Sequence, residues 1–137
     1  MSNMDEKLKE ELIAEAKAGR KNAYVPYSSF AVGAAVLTDE GNIFRGCNVE
    51  NAAYGATNCA ERTAIFSAVA EEGSPNIEII VVVADTPSFP SPCGPCRQVL
   101  VEFNPEMQVI LVNSKGKEKI TTAAKLLPHY FNCEDMR

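Results

Sequence analysis

The chain has 137 residues, with 13 Lys and Arg against 18 Asp and Glu, which gives a formal net charge of −5. Hydrophobic residues make up 46% and charged residues 23%, a balance typical of a folded protein, so we expect one domain over residues 1–137. The acidic charge argues against a nucleic-acid partner, and the apolar run Ile79–Ala84 is far shorter than the roughly 20 residues that cross a membrane.

The first half of the chain predicts a helix followed by a hairpin. Residues 5–22 predict an amphipathic helix, because apolar residues recur there at helical spacing. The N-terminal 20 residues are charged, so we do not expect a signal peptide. Residues 30–38 and Ile43–Cys47 predict two strands joined by a turn, and residues 48–58 predict a loop.

The second half alternates between strands and helices. Residues 59–72 and 93–103 predict helices, and residues 121–127 predict a short third helix that ends before Pro128. The branched aliphatic runs Ile77–Ala84 and Gln108–Val112 predict strands that are buried on both faces. This alternation predicts an α/β layered domain, in which the hairpin makes part of the sheet antiparallel.

Two cysteine-containing segments stand at predicted helix starts: CAER at residues 59–62 and PCGPCR at residues 92–97. The spacing of Cys93 and Cys96 allows two thiolates to bind one ion at about 2.3 Å, and zinc is the natural ion for sulfur ligands. Helix N-termini also favour the thiolate form. Five cysteines without an export signal indicate a reducing compartment, so we expect a cytoplasmic protein.

Three other interpretations of the cysteines stay open at this point. Cys93 and Cys96 are also spaced like a redox pair, the cysteines are also compatible with plain buried thiols, and Cys47 or Cys133 is available as a fourth ligand of a purely structural zinc site. Glu61 favours an open catalytic site, because it and Cys59 can both point past the tip of one helix. The pattern Cys-x-Glu followed by Pro-Cys-x-x-Cys is a zinc deaminase signature.

Across nearly its whole length the sequence resembles the short, three-cysteine, homotetrameric cytidine deaminases. The matching stretches are residues 24–35 (YVPYSSFAVGAA), 46–54 (GCNVENAAY), 58–64 (NCAERTA), 91–98 (SPCGPCRQ) and 126–128 (LLP). The resemblance implies a three-layer α-β-α sandwich around a mixed five-stranded sheet. It also implies hydrolytic deamination of cytidine and 2′-deoxycytidine to uridine and 2′-deoxyuridine, with ammonia release, in pyrimidine salvage.

The resemblance also implies the catalytic centre. Cys59, Cys93 and Cys96 would bind one zinc ion per subunit, with water as the fourth ligand. That water would attack C4 of the base, and Glu61 would act as the proton shuttle. Three thiolates and one zinc ion carry a net charge of −1, which weakens the metal as a Lewis acid. Arg62, three residues after Cys59, is the cation expected to offset this charge.

Six residues are expected to contact the nucleoside: Phe30, Asn48, Glu50, Tyr54, Ala60 and Phe131. Asn48 and Glu50 would hold the ribose, because residues two apart on an extended segment share a side. The resemblance implies that the Ala60 amide binds the base carbonyl and that Phe30 packs near the nucleoside. Phe131 would reach the pocket of a neighbouring subunit, so that a homotetramer shares its active sites.

Two other functions are compatible with the cysteine pattern. One is a deaminase of the same superfamily that acts on blasticidin S or on a base within nucleic acid. Asn48 and Glu50, the pair expected to hold the ribose, and the acidic net charge favour a free nucleoside instead. The other is a structural zinc or interaction module, which would need a fourth protein ligand and would show no turnover. The sequence assigns no role to His129.

Overall fold

The computed structural model describes residues 5–136. These residues form four α-helices and one mixed sheet of five strands in the order β2-β1-β3-β4-β5. The helices are α1 (Glu6–Arg20), α2 (Ala60–Glu72), α3 (Gly94–Phe103) and α4 (Ala123–Leu126), and the strands are β1 (Val32–Thr38), β2 (Ile43–Cys47), β3 (Ile77–Ala84), β4 (Gln108–Val112) and β5 (Glu118–Thr122).

The sheet combines both kinds of strand pairing. The strand β1 is antiparallel to its neighbours β2 and β3, whereas β3 and β4 run parallel and β5 returns antiparallel to β4. The central strands β3 and β4 consist almost entirely of branched aliphatic residues, as strands covered on both faces require. The mixed five-stranded sheet is therefore confirmed.

Helices cover both faces of the sheet. Alternate residues of β3 point to opposite sides, so that Val82 packs with the core beneath α2 and α3, and Val81 packs with Leu12 and Ala16 of α1. The three-layer α-β-α sandwich is confirmed. Within residues 5–136, no helix is long and apolar enough to cross a membrane.

The predicted helix over residues 121–127 is partly wrong. Thr121 and Thr122 belong to β5, where Thr122 pairs with Gln108 of β4, and the helix begins only at Ala123. Thr122 is the N-cap, and its hydroxyl accepts a hydrogen bond from the Lys125 amide at 3.3 Å. The residue pattern did not predict β5, because this edge strand is short and mostly exposed.

A close backbone approach brings the start of α2 against the edge of the sheet. A Cβ atom on Gly46 of β2 would lie 2.3 Å from the carbonyl oxygen of Ala60 and 2.5 Å from the amide nitrogen of Ala64. On the α1 side, a Cβ atom on Gly19 would lie 2.7 Å from the Gly46 oxygen. Glycine at position 46 therefore sets how closely the first turn of α2 packs on β2.

Candidate active site

A cavity of about 240 Å³ lies where α2 and α3 begin. Among the residues proposed from the sequence, Phe30, Asn48, Ala60 and Glu61 line it together with the sulfur residues Cys59 and Cys93. The full lining is Phe30, Val32, Asn48, Thr57, Cys59, Ala60, Glu61, Val82, Pro90, Ser91 and Cys93. Two of the three predicted metal ligands, Cys59 and Cys93, therefore line the same cavity as the predicted proton shuttle Glu61.

Three cysteine sulfurs converge at the two helix starts. Cys59 is the N-cap of α2 and Cys93 the N-cap of α3, and neither side chain caps its own helix, while Cys96 lies in the first turn of α3. All three sulfurs lie within 4.8 Å of one another, and those of Cys59 and Cys93 are 3.7 Å apart. Tetrahedral zinc with Zn–S bonds of about 2.3 Å requires sulfurs about 3.8 Å apart, so the cluster fits one zinc ion.

No further metal donor completes the cluster within the described part of the chain. The group of converging donors found in residues 5–136 consists of Cys59, Cys93 and Cys96, and neither Cys47 nor Cys133 belongs to it. Cys47 is half-buried at the end of β2, where burial raises the pKa of its thiol, and Cys133 is exposed. The arrangement is that of an open zinc site with three protein ligands, as catalytic zinc sites have.

The sulfur cluster favours negative charge at Cys59. The hydrogen bond from the Cys96 thiol is the largest cause that lowers the pKa of Cys59 to about 5, and the Arg62 guanidinium lowers it further. Nη2 of Arg62 lies 3.3 Å from the Cys59 sulfur. Arg62, which the sequence predicts to lie beside the sulfur ligands, thus contacts one of them directly.

Glu61 is the buried carboxyl group of this site. Its side chain is 5% exposed at the second position of α2, two residues after Cys59. Burial is the main cause that raises its pKa to about 7, and the negative charge of Cys59 adds to this effect. A carboxyl group with a pKa near neutrality can both accept and donate a proton, which is what general acid-base catalysis requires.

Asn48 fixes the segment that carries Phe30. Its Oδ1 accepts a hydrogen bond from the Val32 amide at 2.9 Å, and its Nδ2 donates one to the Phe30 carbonyl at 2.8 Å. The two bonds hold the backbone on both sides of Ala31, so that Phe30 stays at the cavity wall. Asn48 therefore positions a neighbouring residue as well as lining the cavity itself.

Glu50 lines an adjoining cavity of about 270 Å³ rather than the one that holds Glu61. Thr57 lines both cavities, so the two are neighbours. The Glu50 carboxylate accepts hydrogen bonds from the amides of Tyr27 at 2.9 Å and Ser28 at 3.1 Å, and from the Ser28 hydroxyl. The hydroxyl is the main cause that lowers the pKa of Glu50.

Tyr54 and Phe131, two side chains expected to contact the nucleoside, are exposed on the single chain. Tyr54 lines the adjoining cavity and packs edge-on against Tyr27, with ring centroids 6.2 Å apart. Phe131 lines neither cavity of its own chain, and 56% of its surface is exposed. The Phe131 backbone oxygen accepts a hydrogen bond from Gln98 of α3 at 2.8 Å, which fixes where the tail leaves the domain.

Several residues of the site were not predicted from the sequence. Pro90 and Ser91 form part of the cavity wall, and their place just before Cys93 was the available signal. Thr57 also lines the cavity, but nothing in its sequence context marks it. Arg97, directly after Cys96, differs from Arg62, because it donates to the backbone carbonyls of Pro92 and Leu126, each at 2.8 Å.

Comparison with known proteins agrees with the geometry of this site. The family model described as the cytidine and deoxycytidylate deaminase zinc-binding region matches residues 6–112. The cytidine deaminase of Sporosarcina psychrophila is 56% identical over 128 residues, which cover 93% of each chain. That of Halalkalibacterium halodurans is 52% identical over 126 residues, covering 91% of this chain and 95% of the relative.

A solved structure shows the same fold. The crystal structure of cytidine deaminase from Burkholderia pseudomallei superposes with a TM-score of 0.87 at 49% sequence identity. The match covers 93% of this chain and all of the other. The matched family model, the similar relatives and the three converging cysteine sulfurs agree with one another. The chain therefore belongs to the cytidine and deoxycytidylate deaminase family.

Proposed function

We propose that this protein catalyses the hydrolytic deamination of cytidine and 2′-deoxycytidine to uridine and 2′-deoxyuridine, with release of ammonia, in pyrimidine salvage. One observation carries the proposal. The sulfurs of Cys59, Cys93 and Cys96 converge within 4.8 Å of one another, and the buried carboxyl group of Glu61 lines the same cavity. The names of the relatives support the nucleoside as the substrate class.

One zinc ion per subunit would be held by the three sulfurs. Bound zinc lowers the pKa of a coordinated water molecule and so supplies a nucleophile at neutral pH. The separation of 3.7 Å between the Cys59 and Cys93 sulfurs supports a single tetrahedral ion. Arg62 acts on the ligands, because its contact with the Cys59 sulfur draws electron density away from a centre that carries a net charge of −1.

Glu61 moves the protons of the reaction. The overall change is that cytidine and water give uridine and ammonia, so both protons of the water must be transferred, one to N3 and the other to the leaving amine. Glu61 accepts the first proton and delivers it to N3. It then moves the proton of the new C4 hydroxyl group to the amine, so that the C4–N bond breaks, the C4 carbonyl forms and ammonia leaves. Its pKa of about 7 supports this role, since neither protonation state is strongly disfavoured.

The nucleoside would be held by backbone and side-chain groups around the cavity. The Ala60 amide, in the first turn of α2, has no partner within its helix, and Ala60 lines the cavity, which supports this amide as the donor to the base carbonyl. Phe30 offers an apolar face to the nucleoside. Asn48 retains a second hydrogen on Nδ2 for a ribose hydroxyl, and Glu50, with Tyr54 beside it, has acceptor capacity left in the adjoining cavity.

A homotetramer with shared active sites completes the proposal. Phe131 is exposed on its own chain, and Gln98 anchors its backbone, which supports a tail that contacts the cavity of a neighbouring subunit. A cytoplasmic location belongs to the proposal too, because the mechanism depends on three reduced cysteines. The acidic net charge supports an uncharged nucleoside rather than a polynucleotide as the partner.

A substrate panel tests this function. The zinc-loaded protein is incubated with cytidine, 2′-deoxycytidine, adenosine, cytosine, blasticidin S and single-stranded DNA, and deamination is followed by absorbance and ammonia release. We expect turnover of cytidine and 2′-deoxycytidine in preference to the other compounds. Preferential turnover of blasticidin S or DNA would contradict the substrate class. Zinc binding without any turnover would contradict the enzymatic function and indicate a structural zinc module.

A further inference from the structure

Arg97 joins two parts of the chain that the mechanism has not connected. Its Nε donates to the Pro92 carbonyl and its Nη1 to the Leu126 carbonyl, each at 2.8 Å. Pro92 directly precedes the metal-ligating Cys93, and Leu126 is the last residue of α4. One rigid guanidinium thus binds both the turn before a zinc ligand and the helix from which the C-terminal tail departs.

The next side chain extends this connection to the tail. Gln98 donates from Nε2 to the Phe131 carbonyl at 2.8 Å, so consecutive residues of α3 bind both ends of the segment 126–131. The carbonyl of Leu126 lies at a helix C-terminus, where it has no partner within the helix, and a cationic donor there is favourable. The segment 126–131 is therefore attached to the same helix that carries Cys96.

We propose that Arg97 is a positioning residue that couples zinc binding at the Cys93 turn to the placement of the C-terminal segment 126–131. The guanidinium is planar, and its donors have fixed relative directions, so a shift of the Pro92 carbonyl changes the geometry at Leu126 as well. Zinc fixes the Cys93 turn and thereby orders α4 and the segment that ends at Phe131. The proposal deepens the proposed function, on which it rests for the metal and for the role of the tail.

Coupling of this kind is reciprocal, which makes it measurable from both sides. If zinc stabilises the segment through Arg97, loss of the Arg97 contacts must also weaken zinc binding. Replacement of groups that orient metal ligands lowers metal affinity about 10–100-fold. The Arg97→Lys variant keeps the positive charge but loses the planar two-way donor, and Arg97→Gln loses the charge as well.

The experiment measures zinc affinity by competition with a chelator, and hydrogen exchange of a peptide covering residues 123–131 with and without zinc. In the wild type, zinc is expected to slow exchange in this peptide more than in the reference peptide 108–122. In Arg97→Lys we expect that difference to disappear and zinc affinity to fall about tenfold. Neither readout uses deamination, so failure of the coupling is distinguishable from failure of the proposed function.

A purely structural role for Arg97 gives a different result. If Arg97 only stabilises the end of α4, exchange in the peptide rises equally with and without zinc, and zinc affinity is unchanged, which overturns the proposal. Arg45→Gln is the matched control, because it removes an arginine whose Nε bonds Glu15 at 2.6 Å on the exposed side of β2. An equal loss of zinc affinity in Arg45→Gln would also overturn the proposal. If the Arg97→Gln variant does not fold, the Arg97→Lys variant alone decides between these outcomes.

Discussion

The guanidinium of Arg62 is hydrogen-bonded to the sulfur of Cys59, with Nη2 3.3 Å from Sγ. A fixed cation in this place draws charge from a ligand of the zinc cluster. Three thiolates would otherwise make the metal electron-rich and its coordinated water less acidic. The contact supports the proposed role of Arg62, whose charge cannot be lost at any physiological pH, as the cation that offsets the thiolate charge.

Replacement of Arg62 by glutamine should therefore slow the chemical step. We expect kcat for cytidine to fall about 10–100-fold, as with other groups that orient or tune metal ligands, with a smaller change in KM. Steady-state kinetics at measured zinc content provide the test. The exposed Arg45→Gln variant is the control and should retain wild-type kinetics. A selective rise in KM with unchanged kcat would show that Arg62 binds substrate instead.

The two hydrogen bonds of Asn48 predict that aspartate at this position destabilises the protein. Asn48→Asp keeps an acceptor for the Val32 amide but places a carboxylate oxygen against the Phe30 carbonyl, so the second bond becomes a repulsion. We expect Asn48→Asp to lower the free energy of unfolding by about 1–3 kcal/mol, measured in urea, and to raise KM for cytidine.

Asn51→Asp is the matched control for this substitution. The hydrogen bond of Asn51 to the Ala53 amide uses Oδ1, which aspartate retains. We therefore expect this variant to unfold at nearly the wild-type urea concentration. Equal stability of the Asn48→Asp and wild-type proteins would mean that Asn48 does not hold the segment that carries Phe30.

The hydrogen-bonded carboxylate of Glu50 predicts that the free energy of unfolding falls as the pH is lowered into the acidic range. Its hydrogen bonds with Ser28 and Tyr27 lower the pKa in the folded protein below the usual value of 4.5. The stabilisation is therefore present above pH 4.5 and is lost as the pH falls through the lower folded pKa. Urea unfolding of the wild type and Glu50→Gln between pH 7 and pH 3 is the measurement.

We expect Glu50→Gln to be the less stable protein at pH 7 and the difference to shrink on acidification. A glutamine carbonyl can still accept one of the hydrogen bonds, but it carries no charge that titrates. A stability difference that stays constant, or that grows as the pH falls, would contradict the assignment of these hydrogen bonds to the ionised carboxylate.

The proposed role of Phe131 predicts that activity depends on protein concentration. If this side chain completes the site of a neighbouring subunit, dilution below the concentration at which subunits dissociate should lower the specific activity. Phe131→Ala should reduce activity even in the assembled protein. Kinetics and sedimentation at matched concentrations provide the comparison. Full activity of a monomer would show that the site is complete within one chain.

The sequence predicted the buried parts of the fold well because burial leaves a strong pattern. The runs Ile77–Ala84 and Gln108–Val112 match β3 and β4 residue for residue. The edge strand β5, Glu118–Thr122, has charged and exposed residues without such a pattern, and its pairing with β4 depends on residues distant in sequence. Local periodicity could not reveal it, and only the family resemblance implied a fifth strand.

The candidate site divides in the same way. The spacing predicted that Cys93 lies near Cys96 and that Cys59 lies near Glu61, because a helix start fixes neighbouring side chains locally. The meeting of the two helix starts was implied by the deaminase signature and the family resemblance. The hydrogen bonds of Asn48 and Glu50 were not predictable, since their partners lie 16 to 23 residues away along the chain. The contact of Arg97 with Leu126, 29 residues away, likewise depends on how α4 packs on α3.

The proposed mechanism depends on Glu61 as the group that moves protons beside the sulfur cluster. Cytidine turnover by Glu61→Gln, at a zinc content measured to equal that of the wild type, tests this most directly. Because glutamine fills the same space but cannot exchange protons, we expect zinc to be retained and kcat to fall about 10²–10⁴-fold. A zinc-loaded Glu61→Gln protein with a near-normal kcat would contradict the mechanism.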